Sequence, residues 1–561
     1  MNFFFLKTVF LLLFVLSNFL AISQSRYPGM FLISFTDKNQ SPYTISQPDQ
    51  FLSQRAIERR NKANILIIEQ DLPINPSYID SLSFYGAKPS FSSRWLNAVL
   101  IEMSDSLKMQ QILQLDFVDS MQYMAPIKSK KKKKKNTVRT KQNKRVETGM
   151  QMEYQEEINY GESTDQLRLI GLPQMHKLNF LGEGIQIAVL DNGFRGMDKM
   201  DIFEDLFSSG HLIGTKDIAN PQGDVFKAGN HGTYVMTTMA AHEPGVLVGS
   251  APAASYLLIH TEDNDYEYPI EEFNWAVGAE YADSLGVDII TSSLIYSTFD
   301  DTLLSHTHKQ LDGETAIVSR AAQIATEKGI LVFNSAGNDA AKSWQKIAFP
   351  ADAKDVMTVG AVNMTGVYAP FSSVGFTADG RIKPNIVAVG QGTKSISPNT
   401  GEIVSINGTS FSNPTIAGAA AILMQANPNV STENIRIAIQ QSASQNSHPD
   451  SLLGYGIPNF YLAHILLNNE NIPALKSEQG FTIMPNPYLS DLYILYNVID
   501  SQQVSVQVFD ISGKLMFGIR DIPSMEGMNI RKLDDASGLP QGMYLVVLHI
   551  GNKKYTKKLI K

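Results

Sequence analysis

The 561-residue chain contains no cysteine. That excludes a disulfide-stapled scaffold, a thiol nucleophile, and any zinc or iron–sulfur centre built on thiolates. Long apolar runs are also lacking: beyond the N-terminus no stretch of about 20 apolar residues exists, so a mature form without a transmembrane anchor is expected. Positive charge is scarce outside one place. Residues 128–145 carry eleven Lys and Arg and no acid, so the net charge of −8 leaves −19 for everything else. A body that acidic is a poor nucleic-acid binder. With 43% hydrophobic and 18% charged residues the chain can nevertheless bury a sizeable core, and its length suggests three or four structural units.

The N-terminus reads as an export signal over residues 1–23. Lys7 gives a weak positive start, Thr8 to Leu20 is almost wholly apolar, and Ala21-Ile22-Ser23 puts small residues before a cleavage point at Gln24. Read instead as a membrane anchor, the apolar reach from Asn2 is barely long enough. An exported chain without cysteine argues against an animal-type extracellular domain.

Residues 24–127 show short mixed elements. Strands are expected at Met30–Phe35 and Trp95–Met103, and helices at Gln50–Asn61, Pro76–Phe84 and Asp105–Leu115, which makes a small α+β unit. The basic stretch, taken as a linker over 128–152, repels itself and should be an extended tether. From 153 to 467 apolar runs alternate with helical segments. Ile185–Leu190, Tyr256–Ile259, Val287–Ile290, Ile330–Phe333 and Met357–Val362 are candidate buried strands, and the alternation predicts a parallel sheet covered by helices. From 477 to 561 the period is two, as in Val504–Val508 and Tyr544–Ile550, with a hairpin signal at Ser512-Gly513. A small β-sandwich is expected there.

Three motifs fall where a parallel sheet places its active site, beyond strand ends and at helix starts. Asp191-Asn192-Gly193 directly follows a candidate strand. A carboxylate there can orient an imidazole. His231-Gly232-Thr233 opens a helical stretch, and the glycine permits close backbone approach. Gly408-Thr409-Ser410-Phe411-Ser412-Asn413-Pro414 leads into a run of small residues that describes a buried helix, with Pro414 expected in its first turn. A serine at such a start gains from the helix dipole and free N–H groups. Each motif alone is weak: an Asp-Gly turn, one of ten histidines, a helix cap.

In the order Asp, His, Ser, separated by 40 and 179 residues, the three together are specific. From about Tyr160 to Leu467 the chain resembles the subtilisin-like serine proteases. Ser335-Ala336-Gly337-Asn338, Gly249–Ala254, Ser292-Ser293-Leu294, Lys383–Ala388 and Gly454-Tyr455-Gly456 add to the resemblance. It implies an α/β fold: a subtilisin-like parallel sheet with helices on both faces, preceded by an α+β propeptide and followed by the β-sandwich. It also implies Ser410 as nucleophile, His231 as base, Asp191 as its orienting carboxylate, Asn338 in the oxyanion hole, and Ser292, Ser293, Leu294 and Gly337 at the substrate.

Departures from the family pattern are Asn192 for Thr or Ser, Phe411-Ser412 for Met-Ala, Asn385 for Asp and Val389 for Pro. None removes a catalytic group. No cofactor is assigned; calcium is common in the family, but its ligands cannot be placed, and Asp263, Asp265, Asp300 and Asp301 are read as solvated loop charges. The C-terminal unit resembles the sorting domain of Bacteroidetes type IX secretion cargo, through Pro485-Asn486-Pro487, Val508–Lys514, Leu539–Leu545 and Lys557–Lys561.

The implied partners are protein or peptide substrates, the chain's own propeptide as inhibitor and chaperone, and the secretion machinery. The implied location is outside the cell, reached through the periplasm. A non-catalytic adhesin on the same scaffold and an ester hydrolase remain as alternatives.

Overall fold

The computed structural model describes residues 28–127, 158–468, 480–488, 492–498, 503–522, 524 and 527–561. The expected export signal and the basic linker lie outside the described residues.

The central unit is built on an eight-stranded sheet. In spatial order its strands are Ile403–Asn407, Ile386–Ile396, Met357–Asn363, Leu331–Ser335, Ile289–Ser292, Gln186–Asp191, Ser255–His260 and Leu212–Asp217. Only the pairing of the first two is antiparallel. All five apolar runs expected to be buried strands are in this sheet. The three strands not anticipated carry weaker patterns. Leu212–Asp217 and Ile403–Asn407 are half-exposed edges, and Ile386–Ile396 is interrupted by Gly390 and Gly392.

Each face of the sheet has its own core. Ile187, Val189, Tyr256 and Leu258 pack under the helices His231–Ala240 and Thr409–Ala426. Ala188, Leu190, Leu257 and Ile259 point the other way, against the helices Ile270–Leu285 and Ile317–Glu327. The period of two along each strand makes this division.

The N-terminal unit is a four-stranded antiparallel sheet in the order Lys88–Ser93, Ala98–Met103, Gly29–Phe35, Val118–Pro126. Its helices start at side-chain caps: Ser53 accepts from Ala56 N, Asn75 from Ser77 N, and Asp105 from Leu107 N. The strands Lys88–Ser93 and Val118–Pro126 were not anticipated: the first has one large apolar residue, Phe91, and the second buries only Met124 and Ala125 near its end.

This unit lies on the helix Ile270–Leu285. Leu32, Trp95, Ala98, Leu100 and Met124 share one core with Phe273 and Trp275. Charge fixes the contact. Arg60, fully buried, donates to Asp71 at 3.0 Å and to Asp283 at 2.8 Å, and Arg94 reaches the same Asp283 at 2.8 Å. Glu280 accepts from Arg94 N at 2.9 Å, from Trp95 N at 3.3 Å and from Ser93 Oγ. Burial pushes the Glu280 carboxyl up to about 7 against these donors.

The C-terminal unit consists of two antiparallel sheets. Gly480–Met484, Tyr493–Val498 and Gly527–Lys532 form one; Leu515–Ile522, Val504–Asp510, Met543–Ile550 and Lys553–Ile560 form the other. Phe481, Ile494, Val506, Val508, Val546 and Leu548 belong to a core common to both. The Ser512-Gly513 turn closes the hairpin, with Asp510 accepting from Ser512 N and Lys514 N.

Candidate active site

Parallel register sets the strand ends in a row. Asp191 pairs with His260 on one side, Leu190 with Ser292 on the other, and Ser292 in turn with Asn334. Asp191 is fully buried, with Oδ1 accepting from Asn192 N at 2.8 Å and facing His231 Nδ1 at 2.8 Å. His231 begins its helix one residue before Gly232. Gly232 N donates to Gly193 O at 3.0 Å, and a Cβ at Gly232 would lie 2.6 Å from that oxygen. Only glycine allows the helix start to close on the turn after Asp191.

Electrostatics favour a basic imidazole. Burial lowers the His231 pKa, but the charge and hydrogen bond of Asp191, with a contribution from Glu262, outweigh it and leave the pKa above the ordinary value.

Ser410 is the second residue of the helix Thr409–Ala426 and is 7% exposed. The His231 ring lies beside that of its neighbour Phe411, centroids 5.8 Å apart. Among the hydrogen bonds of the described residues, none joins His231 to Ser410; such bonds are often loose without substrate. Asn338 has its orientation fixed, because Oδ1 accepts from Thr409 N at 2.9 Å and from Thr409 Oγ1 at 3.1 Å. The amide nitrogen, 3.6 Å from where a Gly408 Cβ would lie, is left to donate beside the serine.

Pro414 sits one turn later than expected, inside the helix rather than in its first turn. Proline has no N–H for the carbonyl four residues back, and that carbonyl belongs to Ser410. Ser293 Oγ donates to it instead, at 2.9 Å. Asn413 Nδ2 ties the same helix start to Thr291 Oγ1 and Ser292 O, each at 3.0 Å. Neither tie was legible as a motif; the signal for the first was proline four residues after the serine.

Residues 182–456 match the model of the Subtilase family, Peptidase S8. The central unit is a subtilase domain. Residues 30–141 match the Peptidase S8 propeptide domain of Bacteroidota, and 482–561 match a secretion system C-terminal sorting domain. Subtilisin NAT of Bacillus subtilis subsp. natto is 29% identical over 295 residues, 52% of this chain and 68% of its own. Subtilisin BL of Lederbergia lenta is 28% identical over 288 residues, 51% of this chain and 93% of its own. A solved structure of similar fold is the epidermin leader peptide processing serine protease of Staphylococcus aureus. Its TM-score is 0.51 at 14% identity, over 79% of this chain and 99% of that one. The protein is thus a subtilisin-like serine protease made with a propeptide.

The residues expected at the substrate are placed unequally. Ser293 and Leu294 line a cavity of about 470 Å³ together with His231. Ser292 does not: it is fully buried, its Oγ accepting from Trp275 Nε1 at 2.9 Å. Gly337 lies at φ 106°, with N donating to Thr409 Oγ1 at 3.1 Å and O accepting from Ser373 N.

Asp263, Asp265 and Asp300 stand in exposed or half-exposed loops, as expected of solvated charges, and line that cavity with Glu262, Glu267 and Glu271. No Lys or Arg lines it. Burial first, then mutual repulsion, pushes Glu262 up to about 8 and Glu267 up to about 7. Asp301 caps the turn at Leu303 N. Among the described residues no group of three or more His, Asp or Glu side chains is arranged to hold a metal ion. Nor is any described helix long and apolar enough to cross a membrane.

Proposed function

We propose that the protein is an exported endopeptidase that cleaves polypeptides through Ser410, His231 and Asp191. The observation that carries this reading is the 2.8 Å Asp191–His231 pair, placed beside a buried helix start that presents Ser410 and an orientation-locked Asn338. Ser410 Oγ attacks the scissile carbonyl as its proton passes to His231 Nε2. Asp191 holds the Nδ1 proton and stabilises the imidazolium. The oxyanion is received by Asn338 Nδ2 and the Ser410 N–H. Collapse breaks the C–N bond, the proton on Nε2 leaves with the amine, and water hydrolyses the acyl-enzyme by the same steps in reverse.

The N-terminal unit serves as inhibitor and folding partner through its contact with the Ile270–Leu285 helix. Cleavage within the basic stretch 128–145 separates the two. The C-terminal unit directs passage out of the cell, to release or to surface attachment.

The test is hydrolysis of a protein substrate by matured enzyme, with Asn338→Ala and Ser410→Ala alongside. Losing the oxyanion donor is expected to lower kcat by about 10²–10³, and losing the nucleophile by roughly 10⁶. Equal rates in all three proteins would refute the reading.

A further inference from the structure

Two backbone segments flank the serine. One is 293–296, tied to the Ser410 carbonyl through Ser293 Oγ at 2.9 Å. The other is 337–338, where Gly337 directly precedes the oxyanion donor Asn338. The residue that supplies the scissile carbonyl has its Cα one bond from that carbonyl. Its side chain therefore starts beside both segments, and the gap between them decides what fits.

That gap is partly filled. A Cβ built on Gly337 would stand 3.2 Å from Ile295 Cδ1 and 2.8 Å from Ser373 Oγ. Ile295 thus reaches across from the first segment and ends against the second. It also lines the cavity of about 470 Å³ shared with His231, Ser293 and Leu294. Leu294 packs against the core on the Ile270–Leu285 face of the sheet. Ile295 belongs to none of the hydrophobic cores among the described residues. Core packing therefore does not account for it.

The backbone around Ile295 is held on both sides. Leu294 O accepts from Asn334 Nδ2 at 3.1 Å. Tyr296 exchanges both backbone hydrogen bonds with Phe349, donating at 2.9 Å and accepting at 3.1 Å, and its hydroxyl donates to Glu262 at 2.7 Å. A β-branched side chain has few χ1 choices on a fixed backbone. Clearing the gap means leaving a favoured rotamer or moving the segment that carries Ser293.

We propose that Ile295 is a specificity-determining residue: it shortens the slot for the side chain on the acyl side of the cut bond, so that the enzyme cleaves after small residues, Ala and Ser foremost. The proposal rests on the protease reading given above. A side chain of one or two heavy atoms stops at the Ile295 methyl. A larger one, such as Leu, Phe or Tyr, must displace Cδ1 or lift its carbonyl away from Asn338. One methylene too many in an apolar pocket is worth about 10–200-fold in kcat/KM.

The experiment profiles cleavage of a proteome-derived peptide library by matured enzyme, with mass spectrometry identifying the residue before each cut. Cuts after Ala and Ser are expected to predominate. Two peptides built on one such site, differing only in Ala or Phe before the cut bond, are expected to differ about tenfold or more in kcat/KM, in favour of Ala. Ile295→Gly, with Ile295→Ala as a second variant should the first not fold, is expected to raise the Phe-to-Ala ratio by about tenfold or more. A parent profile dominated by Phe, Tyr, Leu, Lys or Arg before the cut would overturn the proposal, as would an unchanged ratio in a folded variant. Absence of any cut would overturn the protease reading and this proposal together, whereas cutting with the wrong profile overturns this proposal alone.

Discussion

At the scale of single residues, the proposed reaction depends on a neutral His231. Asp191 raises the His231 pKa above its ordinary 6.5 despite burial, so the base is protonated, and inactive, over a wider acid range than a free imidazole. The acid limb of kcat/KM is expected at a midpoint above pH 6.5. Asp191→Asn should abolish the shift and lower kcat by roughly 10⁴, through loss of the correct tautomer; a pH–rate profile reads both.

The motifs around Asp191, His231 and Ser410 stand out in the sequence because chemistry restricts their types and spacing, and the structure brings Asp191 and His231 to 2.8 Å. The hydrogen bond of Ser293 to the Ser410 carbonyl had no such signal. That bond exists because Pro414 cannot make the normal one, and the partner comes from 117 residues away. Nor could alternation along the strand say which of two adjacent serines meets the cavity: Ser293 lines it and Ser292 is buried.

At the scale of elements, the helix Thr409–Ala426 is the part most sensitive to volume. It is buried from Thr409 to Leu423, and a Cβ at Gly418 would lie 2.1 Å from Ser250 Oγ and 3.3 Å from the Ala251 Cβ. Gly418→Leu is expected to cost about 1–3 kcal/mol of stability by overpacking and to lower activity by displacing Ser410, measured as a fall in Tm together with kcat. The run of small residues announced this burial in the sequence.

The loops between Glu262 and Asp300 announced nothing. Five of their acids are ordinary loop residues by composition, and only the fold gathers them, with Glu271 of the following helix, into the His231 cavity. Peptides with Lys or Arg upstream of the cleavage point should be cleaved faster than those with Glu or Asp. The difference should shrink with added salt. A cleavage profile at low and high ionic strength checks both statements.

At the scale of the whole molecule, the propeptide and the subtilase domain are joined by buried charge. Asp283 receives Arg59, Arg60 and Arg94 together. Asp283→Ala leaves Arg59 without its ion-pair partner, Arg60 with Asp71 alone and Arg94 with Glu280 alone, and should weaken the contact by about 3 kcal/mol, read as faster release of the cut propeptide. Glu280 adds a pH dependence. Burial raises its pKa to about 7 from an ordinary 4.5, so the bound state takes up a proton. Its contribution to binding is full below 4.5 and is lost as pH rises through about 7. Inhibition by propeptide added in trans should accordingly weaken between pH 5 and 8, and Glu280→Gln should flatten that dependence.

The expected division into units rested on changes of periodicity and on the basic stretch. The docking was not, since arginines at 59, 60 and 94 and acids at 280 and 283 have no relation in sequence.

The central claim is that Ser410 is an activated nucleophile. The most direct measurement is labelling of the matured protein with a fluorophosphonate, followed by mass-spectrometric identification of the modified peptide. Adduct on Ser410, absent from Ser410→Ala and strongly reduced in His231→Ala, is the predicted result. Mature protein, free of its propeptide, that stays unlabelled would contradict the account.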